Sequence, residues 1–157
     1  QEVAFIARRI MICASEDVGN ADPRALTVAV SAAQAVERIG MPEAQIILSQ
    51  AATYVACAPK SNSACNAIFA ANEEVRRSGN LPIPAHLQDA HYKGAAKLGH
   101  GTGYKYAHDY PNHYVEQQYL PYELTGKKYY EPSWNGYEAK IREHMKRIKD
   151  EAKQKED

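Results

Sequence analysis

The sequence is most informative first in what it lacks. No apolar run approaches the roughly 18 residues of a membrane-spanning helix, and its opening residues do not read as a secretory signal. Charge of one sign is missing too: nineteen Lys and Arg side chains balance nineteen Asp and Glu. That balance excludes a strongly basic nucleic-acid coat and an acidic solvating tail, while leaving room for local patches. Cysteine is scarce. Cys13, Cys57 and Cys65 are odd in number, have no CxxC spacing and stand among apolar residues, so they are expected to be buried thiols of a reducing compartment rather than a disulfide framework. Alternating β-branched residues are also absent, which argues against a sheet.

What is present is 157 residues of ordinary globular composition, 45% hydrophobic and 24% charged, expected to form one domain. A chain of this size can bury about two thirds of its unfolded surface in one core, without metal or disulfide support. The first residue is Gln1 rather than Met, and a helical pattern begins almost at once, so the sequence is expected to be a piece of a longer protein. Composition shifts near residue 80. Residues 1–80 are Ala-rich and hold one tyrosine, Tyr54, whereas residues 81–157 carry the other ten of eleven. The expected organisation is an Ala-rich helical core, 1–80, with a Tyr/Gly-rich wrap and a C-terminal helix, 81–157, packed on it as one structural domain.

Four helices are expected in the first part. Val3, Ile6, Ile10 and Cys13 recur at helical spacing in a helix ending near Gly19. Asp22 offers a capping oxygen and Pro23 suits a first helical position, so a second helix spans about 23 to 39 and stops at Gly40. Its polar residues fall on one narrow stripe, which predicts burial of most of its circumference. A third helix starts at Pro42 and stops at Pro59; with no charge between Glu43 and Lys60 it is also expected to be largely buried. Ser61 or Ser63 caps a fourth, running to about Arg77, whose Ala64, Ala67, Ala70 and Ala71 permit close helix approach. Beyond residue 80 the pattern suggests a turn over 85–88, short helices over 91–98 and 111–118, and a brief alternation over 119–132 compatible with a hairpin. Asn135 would cap a last helix bearing Tyr137, Ile141, Met145 and Ile148 on one face, with residues 149–157 fraying. The fold class is all-α, a helical bundle with an irregular second half.

Motifs for catalysis fail one after another. Gly99-x-Gly101-x-Gly103 could cradle an anion with its amides, but the third Gly sits one place early for a dinucleotide fingerprint and no strand precedes it. Gly126-Lys127 lacks the first Gly and the following Ser/Thr of a Walker A sequence. Five histidines lie between residues 86 and 113, yet none forms an HxxxH or HExxH pair, and the spacing of His108 and His113 does not place them on one helix face. They read as hydrogen-bonding partners of tyrosines and loop backbone, with no metal site. No Gly-x-Ser-x-Gly elbow occurs either. No catalytic residue and no cofactor site is assigned. The strongest local cluster is Lys93, Lys97, His100, Lys105 and His108 interleaved with Tyr92, Tyr104, Tyr106 and Tyr110. Cations beside aromatics suit single-stranded nucleic acid, whose backbone follows charge while bases stack on rings. The competing reading, favoured on the residues alone, is that the tyrosines fill space in a long loop and tie its backbone together. The candidate DNA contacts are Lys97, His100, Tyr104, Lys105, Tyr106 and His108. Basic residues of the last helix alternate with acids and read as a solvated, ion-paired face.

Several segments, in order, resemble one family. They are Phe5-Ile-Ala-Arg-Arg-Ile10, Ala14-Ser-Glu-Asp-Val-Gly19, Ala21-Asp-Pro-Arg-Ala-Leu26, Glu37-Arg-Ile-Gly-Met-Pro42, Ala58-Pro-Lys-Ser-Asn62, Pro82-Ile-Pro-Ala-His-Leu87, Gly103-Tyr-Lys-Tyr106 and His108-Asp-Tyr-Pro111. The chain resembles the C-terminal region of the replication-associated recombination protein A family (RarA), bacterial AAA+ proteins also called MgsA and related to eukaryotic Werner-helicase-interacting protein. The resemblance spans all but the last dozen residues. It implies a post-AAA+ helical domain similar to the clamp-loader collar, which holds subunits together, in a DNA-dependent ATPase of stalled or damaged replication forks. It further implies a homo-oligomer, a tetramer, in the bacterial cytoplasm and associated with the nucleoid. DNA, and single-strand-binding protein, would be partners of the parent protein, with no membrane partner. ATP and Mg are expected in an upstream Walker-bearing module that nothing in this sequence matches.

Overall fold

The computed structural model describes residues 2–154 and is helical, with no β-strand among the described residues. Five α-helices carry it: α1 (Val3–Cys13), α2 (Arg24–Ile39), α3 (Ala44–Cys57), α4 (Ser63–Ser78) and α5 (Tyr137–Lys153). Contacts divide the chain into two compact units, Gln1–Ala71 with Tyr129–Glu143, and Asn72–Lys128 with His144–Asp157. No helix is long and apolar enough to cross a membrane among the described residues.

The first unit is built on small residues. Ala25, Ala29, Ala32 and Val36 form the buried stripe of α2, and Ala44, Leu48, Ala51 and Val55 that of α3. Methyl groups at these spacings let helix axes come close, so α1, α2 and α3 all touch one another. One cluster joins Ala14, Val18, Ala25, Ala29, Val55 and Ala58; another joins Ala7, Val36, Ala44 and Leu48. Beyond Cys13 the first helix widens into a π turn over Ala14–Val18 and ends at Gly19, whose φ is +52°. A Cβ at Gly19 would stand 2.9 Å from the Ser61 carbonyl oxygen, so glycine permits this close crossing. The Ser61 amide completes it by donating to the Asp17 carbonyl at 2.8 Å.

The expected caps are in place. The Arg24 amide donates to the Asp22 carboxylate at 3.0 Å, and the same carboxylate accepts the Tyr54 hydroxyl at 2.7 Å. The Ser63 amide donates to Ser61 Oγ at 3.2 Å and starts α4. The Lys60 ammonium donates to the Val55, Ala56 and Ala58 carbonyls, completing the C-terminal end of α3 where positive charge is favoured. Asn135 differs from expectation: its main-chain oxygen accepts from the Glu138 amide, but its carboxamide donates across to the Lys60 carbonyl at 2.9 Å.

Burial of α2 and α3 is narrower than their composition suggests. Leu26, Val30 and Ile39 of α2 and Ile46 of α3 are exposed. Alanine stripes satisfy the contacts among α1, α2 and α3, and the larger apolar side chains are left on outer faces. α4 buries no residue completely, and Ile68, Phe69 and Val75 stand out from it. Cys57 is likewise exposed on α3, contrary to the expectation of three buried thiols, while Cys13 and Cys65 are half-buried.

The second unit is mostly loop, punctuated by 3-10 turns at Ala85–Leu87, Ala95–Leu98, Ala107–Asp109, Pro111–His113 and Tyr122–Leu124. The short helices expected over 91–98 and 111–118 shrink to single turns. Gly94 adopts a left-handed conformation at the first, and Asn112 and His113 do so at the second, which no right-handed helix can continue through. The hairpin considered over 119–132 does not form. Ala95 and Val115 supply buried apolar contacts, and His86 Nε2 bonds the Gln118 carbonyl at 2.7 Å. Helix α5 runs to Lys153; of the residues expected to fray, 155–157 lie outside the described residues.

Candidate nucleic-acid and assembly surfaces

Glycines 99, 101 and 103 all have positive φ, as a tight glycine-rich loop requires. Their amides are not gathered around an anion, however. The Gly99 amide donates to the Ala96 carbonyl, and Gly101 donates to Ala85 at 2.8 Å. A Cβ on Gly101 would sit 2.7 Å from Ala90 Cβ, so this glycine serves loop packing. The Gly99 and Gly101 amides are thus already engaged by main-chain carbonyls.

The six candidate contacts separate into groups. Lys97 is exposed. His100 is half-buried and occupied: its Nδ1 shares a 2.6 Å hydrogen bond with the Tyr92 hydroxyl, and the two rings meet edge to face. Tyr104 and Tyr106 are exposed by 50% and 54%, so neither fills space inside the unit. Between them, Lys105 is held by one side chain. Its amide donates to Gln117 Oε1 at 3.2 Å, and Gln117 Nε2 donates to its carbonyl at 2.7 Å. The carboxamide thus plays the part of a neighbouring strand and keeps the Tyr104–Tyr106 stretch extended. His108 packs on Tyr106 with ring centroids 5.1 Å apart, and His113 packs on His108 at 4.7 Å. The structure therefore joins two histidines that helical spacing would keep apart. His113 was not among the candidates; the signal for it was Asn112, a residue that tolerates the left-handed turn bringing His113 back toward His108.

In the first unit an open groove is lined by Arg8, Met11, Ile12, Leu26, Cys65 and Phe69. Ile12, Leu26 and Phe69 are exposed by 38%, 42% and 63%. Ser15 and Glu16 join Arg8 as the polar residues of the lining, the rest of which is apolar and suits contact better than chemistry.

One ionisable group of this unit is fully buried: Glu138, at 0% exposure. Its carboxylate accepts from Ser61 Oγ at 2.6 Å, the Ser133 amide at 2.7 Å and the Tyr130 hydroxyl at 3.0 Å, and Asn20 donates to Tyr130 in turn. Burial by itself would raise this carboxyl, but the hydrogen bonds from Ser61, Ser133 and Tyr130 outweigh it and hold the group below its ordinary range. Both oxygens are engaged in joining the chain to itself, leaving a structural clasp and no free base. Burial, reinforced by Asp17, raises the Cys13 thiol, which disfavours its nucleophilic form. Among the described residues no three His, Cys, Asp or Glu side chains gather as metal ligands.

Residues 1–149 match the family model described as MgsA AAA+ ATPase C terminal. Among known proteins the chain is 50% identical, over 95% of its length, to an AAA domain-containing protein of Mycobacterium tuberculosis, covering 33% of that protein. It is 47% identical to replication-associated recombination protein A of Bacillus subtilis, over 86% of this chain and 32% of the relative. Against the Escherichia coli K12 protein of the same name the identity is 42%, over 90% and 32% respectively. The chain thus spans about a third of the length of these relatives.

Proposed function

Because this chain belongs to the MgsA AAA+ ATPase C-terminal family, and so corresponds to a non-catalytic region outside the ATPase module, we propose that it holds the subunits of such an ATPase together. The observation that supports this is the groove between α1, α2 and α4, where Ile12, Leu26 and Phe69 remain exposed beside a well-packed alanine core. Large apolar side chains clustered on one face mark a surface made for contact. A tetramer is the assembly we propose, with the same patch recurring on each subunit. Light scattering on the chain tests this: an oligomer that persists on dilution to micromolar concentration supports it, and a monomer at tens of micromolar refutes it.

The parent protein would act on DNA during replication-associated recombination at stalled forks, in the bacterial cytoplasm at the nucleoid, with single-strand-binding protein as one partner. ATP and Mg would be bound by the ATPase module. A second reading, that the 97–110 loop engages single-stranded DNA, draws its support from Tyr104 and Tyr106, exposed on either side of Lys105. Salt-dependent binding of a single strand, weakened by Tyr104→Ala, tests it.

A further inference from the structure

We propose that His113 is a further base-stacking residue of the single-strand surface, completing a three-ring ladder Tyr106–His108–His113. This inference rests on the reading of the 97–110 loop as a DNA contact and extends that contact beyond the loop's own end. It starts from strain. Asn112 and His113 are the two non-glycine residues of the described chain with positive φ, at 56° and 52°. Positive φ is uncommon for any residue with a side chain, and two such residues in succession need a reason. Core packing does not explain it, because His113 and His108 are both exposed. What the turn achieves is to fold the chain back after Pro111 so that the His113 ring meets His108 at 4.7 Å, while His108 meets Tyr106 at 5.1 Å.

The turn is held from both sides. The His113 amide donates to the Tyr110 carbonyl at 3.0 Å, and the Asn112 carboxamide donates to the Glu151 carboxylate. The result is a strip of three tilted rings, fixed in the unbound protein and open to solvent. Such a strip offers π faces to unstacked bases at little ordering cost. Lys105, next to Tyr106, is exposed at one end, its ammonium reaching the Glu116 carbonyl at a long 3.5 Å, and Lys93 and Lys97 lie in the same unit. Asp109 and Glu116 are the exposed carboxylates on either side of the turn, and Glu151 is engaged by Asn112. A single strand, with its bases on the rings and its phosphates toward Lys105, fits this arrangement. A duplex, whose bases are already stacked, has no faces to offer.

The test uses the left-handed backbone itself. Glycine accepts φ near +52° without strain, so His113→Gly removes the ring and leaves the turn intact, whereas His113→Phe keeps a ring. Binding of a fluorescein-labelled oligothymidylate is followed by anisotropy at low salt for the parent chain, His113→Gly, His113→Phe and Tyr104→Ala, with melting temperatures measured alongside. The expected result is binding roughly 5- to 100-fold weaker in His113→Gly, near-parental binding in His113→Phe, and a melting temperature in His113→Gly no lower than the parent's. If Tyr104→Ala weakens binding while His113→Gly does not, the ladder is refuted and the loop reading stands. If His113→Phe loses as much as His113→Gly, stacking is refuted. If no variant changes binding, or the parent chain does not bind, the loop reading fails and the inference falls with it.

Discussion

The Ser61 hydroxyl stands 2.6 Å from a carboxylate oxygen of Glu138, closing a loop of 77 positions in the chain with one buried hydrogen bond. Ser61 also receives the first amide of α4, so the start of α4 and the first turn of α5 share one polar centre. Removing Ser61 takes one of three donors from a buried carboxylate, and removing Glu138 takes away the acceptor that Ser61, Tyr130 and the Ser133 amide share. Ser61→Ala is therefore expected to destabilise the chain by about 1–3 kcal/mol, and Glu138→Ala, which takes the acceptor from three donors at once, by more than Ser61→Ala. Urea denaturation at neutral pH measures both; a loss under half a kcal/mol in either would show that the clasp carries no load.

The same carboxylate makes stability depend on pH in a definite direction. Its folded-state value lies below the ordinary 4.5, so the unfolded chain takes up a proton first as pH falls. The contribution is complete above the unfolded value and disappears as pH drops through the folded one. The stability difference between the parent chain and Glu138→Gln should be largest near neutrality and shrink below about pH 4. A difference constant from pH 7 to pH 3 would contradict the assignment.

Gly136 is a steric requirement. A Cβ there would lie 2.2 Å from the Ala21 carbonyl oxygen and 2.6 Å from Pro59 Cγ, at a φ of +54°. At Gly103 the φ is +82° with nothing within 4 Å. Gly103→Ala should thus cost about 1 kcal/mol of backbone strain, while Gly136→Ala should cost several times more because backbone must move. Calorimetric melting of the two variants separates these costs, and equal melting temperatures would contradict the difference.

Thiol labelling should follow a set order. Cys57 is exposed, and Cys13 is half-buried with its thiol pushed up by burial and by Asp17. A maleimide at neutral pH, followed by peptide mass spectrometry, is expected to modify Cys57 well before Cys13. Equal rates would refute the protection of Cys13.

Phe69→Asp tests the assembly groove directly. The side chain is 63% exposed, so the change should leave the melting of the single subunit within about 0.5 kcal/mol of the parent. If the groove joins subunits, the mass in solution falls. An unchanged oligomer mass would place the interface elsewhere.

Local signals were legible because their causes are local. Asp22, Gly40, Pro59 and Ser61 act within one helical turn, and each end appears where those residues place it. The error on α2 and α3 came from treating apolar composition as burial. Alanine stripes can pack three helices closely while Leu26, Val30 and Ile46 stay outside. Glu138 was unreadable: a glutamate in the first turn of a charged helix looks solvated, and the hydroxyls and amide that bury it come from Ser61, Tyr130 and Ser133. The His108–His113 contact was hidden for a related reason, since helical spacing was applied to a segment that Asn112 turns to the left.

The hold of Gln117 on Lys105 has a consequence for solubility. An extended, tyrosine-rich stretch would ordinarily offer unfilled main-chain rungs, a template on which foreign chains add and fibrils grow. Here a single carboxamide occupies the donor and the acceptor of Lys105 together. The rings of Tyr104 and Tyr106 can stay in water while the backbone between them is closed to any second chain seeking to pair with it.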